Sequence, residues 1–129
     1  MPEKSPVRTE EAPAPFQGAP YSQAIRAGGL VFVSGQLALA PGSHEIVGDT
    51  IEEQTDQVFR NLKAILEEAG SSLDRIVKTT VFLTDLGTFQ GMNEVYRRHV
   101  GDTPPARATI EISALPSGAL VEIEAIALA

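Results

Sequence analysis

The rhythm of apolar and polar positions changes several times along the chain, and each change marks an element. From Asp49 onward Ile51, Thr55, Val58, Phe59, Leu62, Ile65, Leu66 and Ala69 recur at spacings of three and four, which predicts a helix with one buried face. Thr50 and Glu53 are spaced as a capping box, and Gly70 stands where a helix-ending glycine is expected. RIVKTTVFLT, residues 75–84, is rich in β-branched residues and predicts a strand. Asp85 then offers an N-cap to a second helix, LGTFQGMNEVYRRHV, with Phe89, Met92, Tyr96 and Val100 on its buried side. Upstream, YSQAIRAGGLVFVSGQLAL reads as two extended runs turned by Ala27-Gly28-Gly29. Downstream, PPARATIEI and ALVEIEAIALA, joined by the turn Leu115-Pro116-Ser117-Gly118, predict a closing hairpin.

The predicted order is ββαβαββ, an α+β sheet with two helices packed on one face. On the last strand Leu120, Ile126 and Leu128 fall on one parity and Val121, Ile123, Ala125 and Ala127 on the other. Both faces of the sheet are therefore expected to find apolar cover, the helix-free face by subunit association. Residues 1–18, MPEKSPVRTEEAPAPFQG, mix proline, charge and small residues without periodicity and predict a flexible N-terminal arm. Residues 19–129 form a single expected domain.

Composition narrows the function classes. With 129 residues and 43% hydrophobic content the chain can bury a core without staples. No apolar run approaches the roughly 20 residues of a membrane span. Cysteine is absent, which removes disulfides, thiolate nucleophiles and cysteine metal sites. No basic patch precedes an apolar stretch at the N-terminus, so a cytoplasmic location is expected. A net charge of −7 and only 5% aromatics argue against nucleic acid, which is bound by neutralising phosphates and stacking bases.

Few residues stand out chemically. Arg107 sits on a strand among small and β-branched residues, sharing a parity with Thr109 and Glu111. Taking a guanidinium from water costs several kcal/mol, roughly the penalty for a desolvated ion, unless an anion meets it. Two partners are open: a structural acid, Glu111, Glu122 or Glu124, or a carboxylate ligand gripped by the planar fork. Glu122 and Glu124 occupy one parity of an aliphatic strand, where partial burial would raise a carboxyl pKa toward that of a general base. Tyr21 and Ser34 flank the first hairpin as possible hydrogen-bonding groups. His44 and His99 lack companions at metal-ligand spacing, and no phosphate loop, Ser-His-Asp set or HExxH is present, so neither metal nor cofactor is expected.

Seven blocks, APYSQAI, FVSGQLAL, NLKAILEEAG, IVKTTVFLTDL, MNEVYRRHV, PPARATIEI and EIEAIAL, occur in an order that resembles the Rid family, also called the YjgF or reactive intermediate deaminase family. The resemblance runs from about residue 19 to the C-terminus. It implies a chorismate-mutase-like domain assembled as a homotrimer, with a pocket at each subunit interface. It also implies cofactor-free hydrolysis of small 2-imino acids, such as 2-iminobutanoate and 2-iminopropanoate, to 2-oxo acids and ammonia. By position it places carboxylate binding on Arg107, water activation on Glu122, and pocket roles on Tyr21, Ser34, Gly35 and Asn93. Thr109 stands where many members have cysteine, so thiol-dependent behaviour is not carried over. The alternatives are a regulatory protein that binds small carboxylates without turning them over and, with less support, a ribonuclease.

Overall fold

In the computed structural model, which describes residues 3–129, one six-stranded sheet carries two helices on one face. The strands are β1 (Ser5–Val7), β2 (Ala24–Ala27), β3 (Leu30–Gln36), β4 (Ile76–Leu83), β5 (Ala106–Glu111) and β6 (Val121–Leu128). The helices are α1 (Ile51–Glu68) and α2 (Phe89–His99). Across the sheet the order is β1-β2-β3-β6-β4-β5, antiparallel throughout except for β4 with β5.

Helix α1 forms as its pattern requires. The Thr50 hydroxyl accepts from the Glu53 N–H at 3.1 Å, and the Glu53 carboxylate accepts from the Thr50 N–H at 3.2 Å, which closes the capping box. Hydrogen bonds from the Asp49 and Thr50 N–H groups hold the Glu53 carboxyl pKa below its usual value. Gly70 follows the helix at φ +83°, a backbone state that a side chain would strain. All eight predicted face residues, Ile51 through Ala69, are buried. They meet Val31 and Val33 of β3, Val81 and Leu83 of β4, and Val121, Ile123, Ala125 and Ala127 of β6 in one core.

Three expectations need correction. The closing hairpin is absent, because β6 lies between β3 and β4 while β5 stands at the sheet edge. The physical reason lies in the strands themselves. Four inward residues of β6 are at most 2% exposed, which suits a central strand, whereas β5 follows Pro104-Pro105, which has no N–H to give a ladder. Pro116–Gly118 forms a 3₁₀ turn that starts the return to the sheet centre, and α2 provides the crossover that parallel β4 and β5 demand.

The second correction concerns α2. Asp85 caps a single 3₁₀ turn, Leu86–Thr88, by accepting from the Gly87 N–H at 2.8 Å, and the α-helix begins after it. Met92, Val95 and Tyr96 form its buried side, followed by Val100, while Phe89 remains 37% exposed at the layer edge.

The third concerns the N-terminal segment, of which Met1 and Pro2 lie outside the described residues. The rest is packed rather than loose. Strand β1 pairs with β2, and Val7 and Ala12 enter the core. Buried Gln23 staples the segment down: its amide donates to the Thr9 carbonyl at 3.0 Å and the Pro13 carbonyl at 2.9 Å, and its oxygen accepts from the Thr9 N–H at 2.7 Å. Periodicity could not show this, because the partner is one side chain on another strand.

Asn61 joins α1 to the loop after β3. Its buried amide donates to the Leu37 and Leu39 carbonyls, both at 3.0 Å. Asn61→Leu leaves two buried carbonyls unpaired and should cost about 2–4 kcal/mol of unfolding free energy in a denaturant titration. Wild-type stability in that variant would mean that water reaches both carbonyls.

Candidate functional site

The site begins at an irregularity in the sheet. Val33 of β3 opposes Ala125 and Gln36 opposes Ile123, so β3 spends one extra residue there, at Ser34-Gly35. Such a bulge bends a strand and re-aims its side chains. Glycine at the bend leaves room for the acid to lie where it does. A Cβ on Gly35 would stand 2.7 Å from Oε2 of Glu122, whose carboxylate lies directly over the glycine.

Glu122 faces a cleft of about 550 Å³ together with Tyr21, Ser34, Gly35 and Glu124. Phe16, Leu37, Leu39 and Pro116 supply an apolar wall. Burial pushes the Glu122 carboxyl pKa up, and the nearby Glu124 charge pushes it further in the same direction. The other polar groups have defined roles as donors or acceptors. The Ser34 hydroxyl donates to the Ser22 carbonyl at 2.6 Å, which leaves its lone pairs to accept. The Tyr21 hydroxyl accepts from the Phe16 N–H at 2.7 Å, which leaves its proton free to be donated. The cleft thus offers one phenolic donor, one hydroxyl acceptor and one partly desolvated carboxylate.

Arg107 is not in this cleft. In register it lies beside Thr79, whose hydroxyl meets the Tyr96 phenol of α2 at 2.6 Å in the buried layer. The guanidinium carbon sits 4.7 Å from the Tyr96 ring centre and 5.5 Å from that of Phe89. Among the described residues no carboxylate comes within 4.0 Å of it. Glu111, one of the three acids considered as its partner, instead accepts from the Leu86 N–H at 2.8 Å. Arg107 therefore faces the helix side of the sheet, whereas Glu122, paired with Phe82, faces the open side.

The structure thus gathers Tyr21, Ser34, Gly35 and Glu122, and separates them from Arg107. Thr109 pairs with buried Val81 and shares the parity of Arg107. Asn93 falls on the stripe of α2 that carries Phe89 and Tyr96, at helical spacings of four and three. Of the two acids on this parity of β6, Glu124 is exposed and only Glu122 is partly buried. The histidines are engaged elsewhere. His44 stacks on Phe16, and His99 stacks on Phe59 while its Nε2 meets Asp56 at 2.9 Å. Burial raises the Asp56 carboxyl pKa, but hydrogen bonds from Arg60 and His99 outweigh that and hold it below its usual value. The apolar wall and the two rings beside Arg107 escaped sequence reading. Phe16 and Pro116 lie in segments without periodicity, and Tyr96 was legible only as a core residue.

The family model for endoribonuclease L-PSP matches residues 9–129. A RutC family protein of Pyrococcus abyssi is 52% identical over 124 residues, 96% of each chain. The chloroplastic reactive intermediate deaminase A of Arabidopsis thaliana is 45% identical over 96% of this chain and 65% of its own. The E. coli protein TdcF, solved with bound serine, superposes with a TM-score of 0.89 at 38% identity, covering 97% of this chain and 98% of that one.

The raised pKa of Glu122 makes a stability prediction. A carboxyl whose folded pKa exceeds its unfolded value loses stability for the protein as pH rises from the unfolded value through the folded one. Above that window the charged, partly buried group is a standing cost. Glu122→Gln should therefore melt a few degrees higher than the wild type at pH 7–8, with the advantage shrinking below the ordinary carboxylate range. Parallel melting curves across pH check it, and a constant or reversed difference would place the carboxylate in a solvated setting.

Proposed function

The chain belongs to the endoribonuclease L-PSP family, which includes the YjgF, Rid and RutC proteins, and from that premise we propose that it hydrolyses 2-imino acids to 2-oxo acids and ammonia. One observation carries the reading: a guanidinium without an acid partner and a partly desolvated carboxylate, held on opposite faces of one sheet. The first suits an anionic ligand. The second suits proton transfer at neutral pH. Serine, bound by the E. coli relative, carries the carboxylate and 2-nitrogen that a 2-imino acid also presents.

In this reading Arg107 grips the substrate carboxylate through paired N–H groups, with Asn93 and Thr109 beside it. Glu122 takes a proton from water as the water oxygen bonds to C2 and the imine nitrogen is protonated. In the same reading the Tyr21 hydroxyl supplies that proton to the nitrogen, and the Ser34 hydroxyl and the Gly35 bend shape the wall. The carbinolamine then collapses: Glu122 returns its proton to the amine nitrogen, the C2–N bond breaks and ammonia leaves, and the hydroxyl proton passes back to the Tyr21 oxygen to give the 2-oxo acid. Water is the only co-reactant.

The two halves can serve one substrate only if they come from different subunits. A side chain on one face of a sheet cannot reach a ligand on the other across the strand between them. We therefore place the active site at an interface in a homotrimer, Arg107 from one copy and Glu122 from the next. The exposed Phe32 and Leu128 on the helix-free face supply apolar area for such packing. Ribonuclease activity gains nothing from the arrangement, since the net charge is −7 and the cleft carboxylates would repel phosphate.

The test is release of 2-oxo acid from enzymatically generated 2-aminoacrylate. Glu122→Gln should lower kcat about 10²- to 10⁴-fold with little change in KM. Arg107→Ala should cost about 2–5 kcal/mol in kcat/KM, and Arg107→Lys should recover only part of it. Co-assembly of Arg107→Ala with Glu122→Gln in equal amounts should restore about a quarter of wild-type activity, since about one interface in four then joins two intact halves. No recovery in mixed assemblies would sink the shared site. Wild-type protein that leaves imine decay unchanged would sink the deaminase reading itself.

A further inference from the structure

We infer that Phe89 and Tyr96 are positioning residues, holding the Arg107 guanidinium as a preset, unneutralised fork for the carboxylate of an incoming 2-imino or 2-oxo acid. The inference rests on the carboxylate-binding part of the functional reading and goes beyond it, because neither ring belongs to the polar set that binds or reacts.

A lone arginine is poorly prepared to bind. Four side-chain torsions leave its fork mobile, and a ligand that must immobilise it loses affinity. A structural carboxylate would fix the fork but would also occupy the N–H groups that the ligand needs. Aromatic faces fix it without competing. They attract the cation through the ring quadrupole and leave the N–H edge open.

The geometry supplies that arrangement. Phe89 and Tyr96 are seven residues apart on α2, two turns along one stripe and about 10 Å along the axis. Distances of 5.5 Å to the Phe89 ring and 4.7 Å to the Tyr96 ring place the guanidinium carbon between them. The Tyr96 ring is itself fixed in two ways. Its hydroxyl meets that of Thr79 at 2.6 Å, and its edge packs on Phe59 with ring centres 5.3 Å apart. Thr79 is the residue beside Arg107 in the β4–β5 register, so ring and arginine are referenced to the same rung of the sheet. Phe89 has no comparable structural employment. It is 37% exposed and stands outside the core cluster, so its contact with the guanidinium is not a by-product of core packing.

The experiment titrates pyruvate, a 2-oxo acid that needs no turnover to bind, into wild type and variants by calorimetry at fixed ionic strength. Phe89→Leu keeps apolar bulk and removes the quadrupole. It should weaken pyruvate about 3- to 10-fold while the melting temperature stays near that of the wild type, and Phe89→Tyr should restore the affinity. Tyr96→Leu should weaken pyruvate at least as much per folded molecule. In turnover the same variants should raise KM more than they lower kcat.

Wild-type pyruvate affinity in Phe89→Leu and Tyr96→Leu overturns the positioning role and leaves the deaminase reading standing, as does a loss in Phe89→Leu that Phe89→Tyr fails to restore. If pyruvate does not bind, or binds Arg107→Ala as well as the wild type, Arg107 is not the carboxylate's partner and both ideas fall. Arg107-dependent pyruvate binding without imine hydrolysis defeats only the deaminase reading, and the ring variants then decide the positioning role on binding alone.

Discussion

Alternation along β6 commits Val121, Ile123, Ala125 and Ala127 to the helix layer and thereby sends Glu122 and Glu124 to the opposite face. The core and the carboxylate share one strand, so the burial that stabilises the fold also fixes where the acid points. The same period acts on β5, where pairing with β4 sets Arg107 beside buried Thr79 on the helix side. The division of the polar residues between two faces follows from pleating and register alone. No local adjustment of a rotamer could bring these two groups together within one chain.

Much of the architecture was legible because it is local. The capping box, the eight-residue face of α1, the glycine turn between β2 and β3 and the alternation of β6 are all written in short spacings. What was not legible depends on partners distant in sequence. The prolines of PPARATIEI point to a sheet edge, but its alternation does not say that the neighbour is β4 in parallel rather than β6 in a hairpin, since both pairings satisfy the same pattern. The packing of residues 3–18 turns on one buried glutamine, and the exposure of Phe89 on one 3₁₀ turn that delays the helix.

The candidate site divides in the same way. Tyr21, Ser34 and Glu122, singled out from their strand context and given pocket roles with Gly35 by a family resemblance, line one cleft. Arg107 was singled out from its strand context, with a structural acid left open as its partner, and the acids considered for that role do not approach it. The elevated Glu122 pKa was foreseeable from an acid among aliphatics, since desolvation is its main cause. The aromatic company of Arg107 was not foreseeable. Rings at helical spacing read first as core, and only the register of β5 against β4 brings a cation between them.

The close approach of Glu122 to Gly35 has a consequence for how this protein can vary. A Cβ at position 35 and a glutamate at position 122, as it now lies, claim overlapping volume. The two positions cannot drift independently, and the effects of substituting them should not add, as for any pair in direct contact. A lineage that acquired alanine at 35 while keeping the acid would have to swing the carboxylate out of place. What the bend in β3 guards is therefore the placing of the acid and not the fold: drift at 35 would show first as a displaced carboxylate in a protein that still folds.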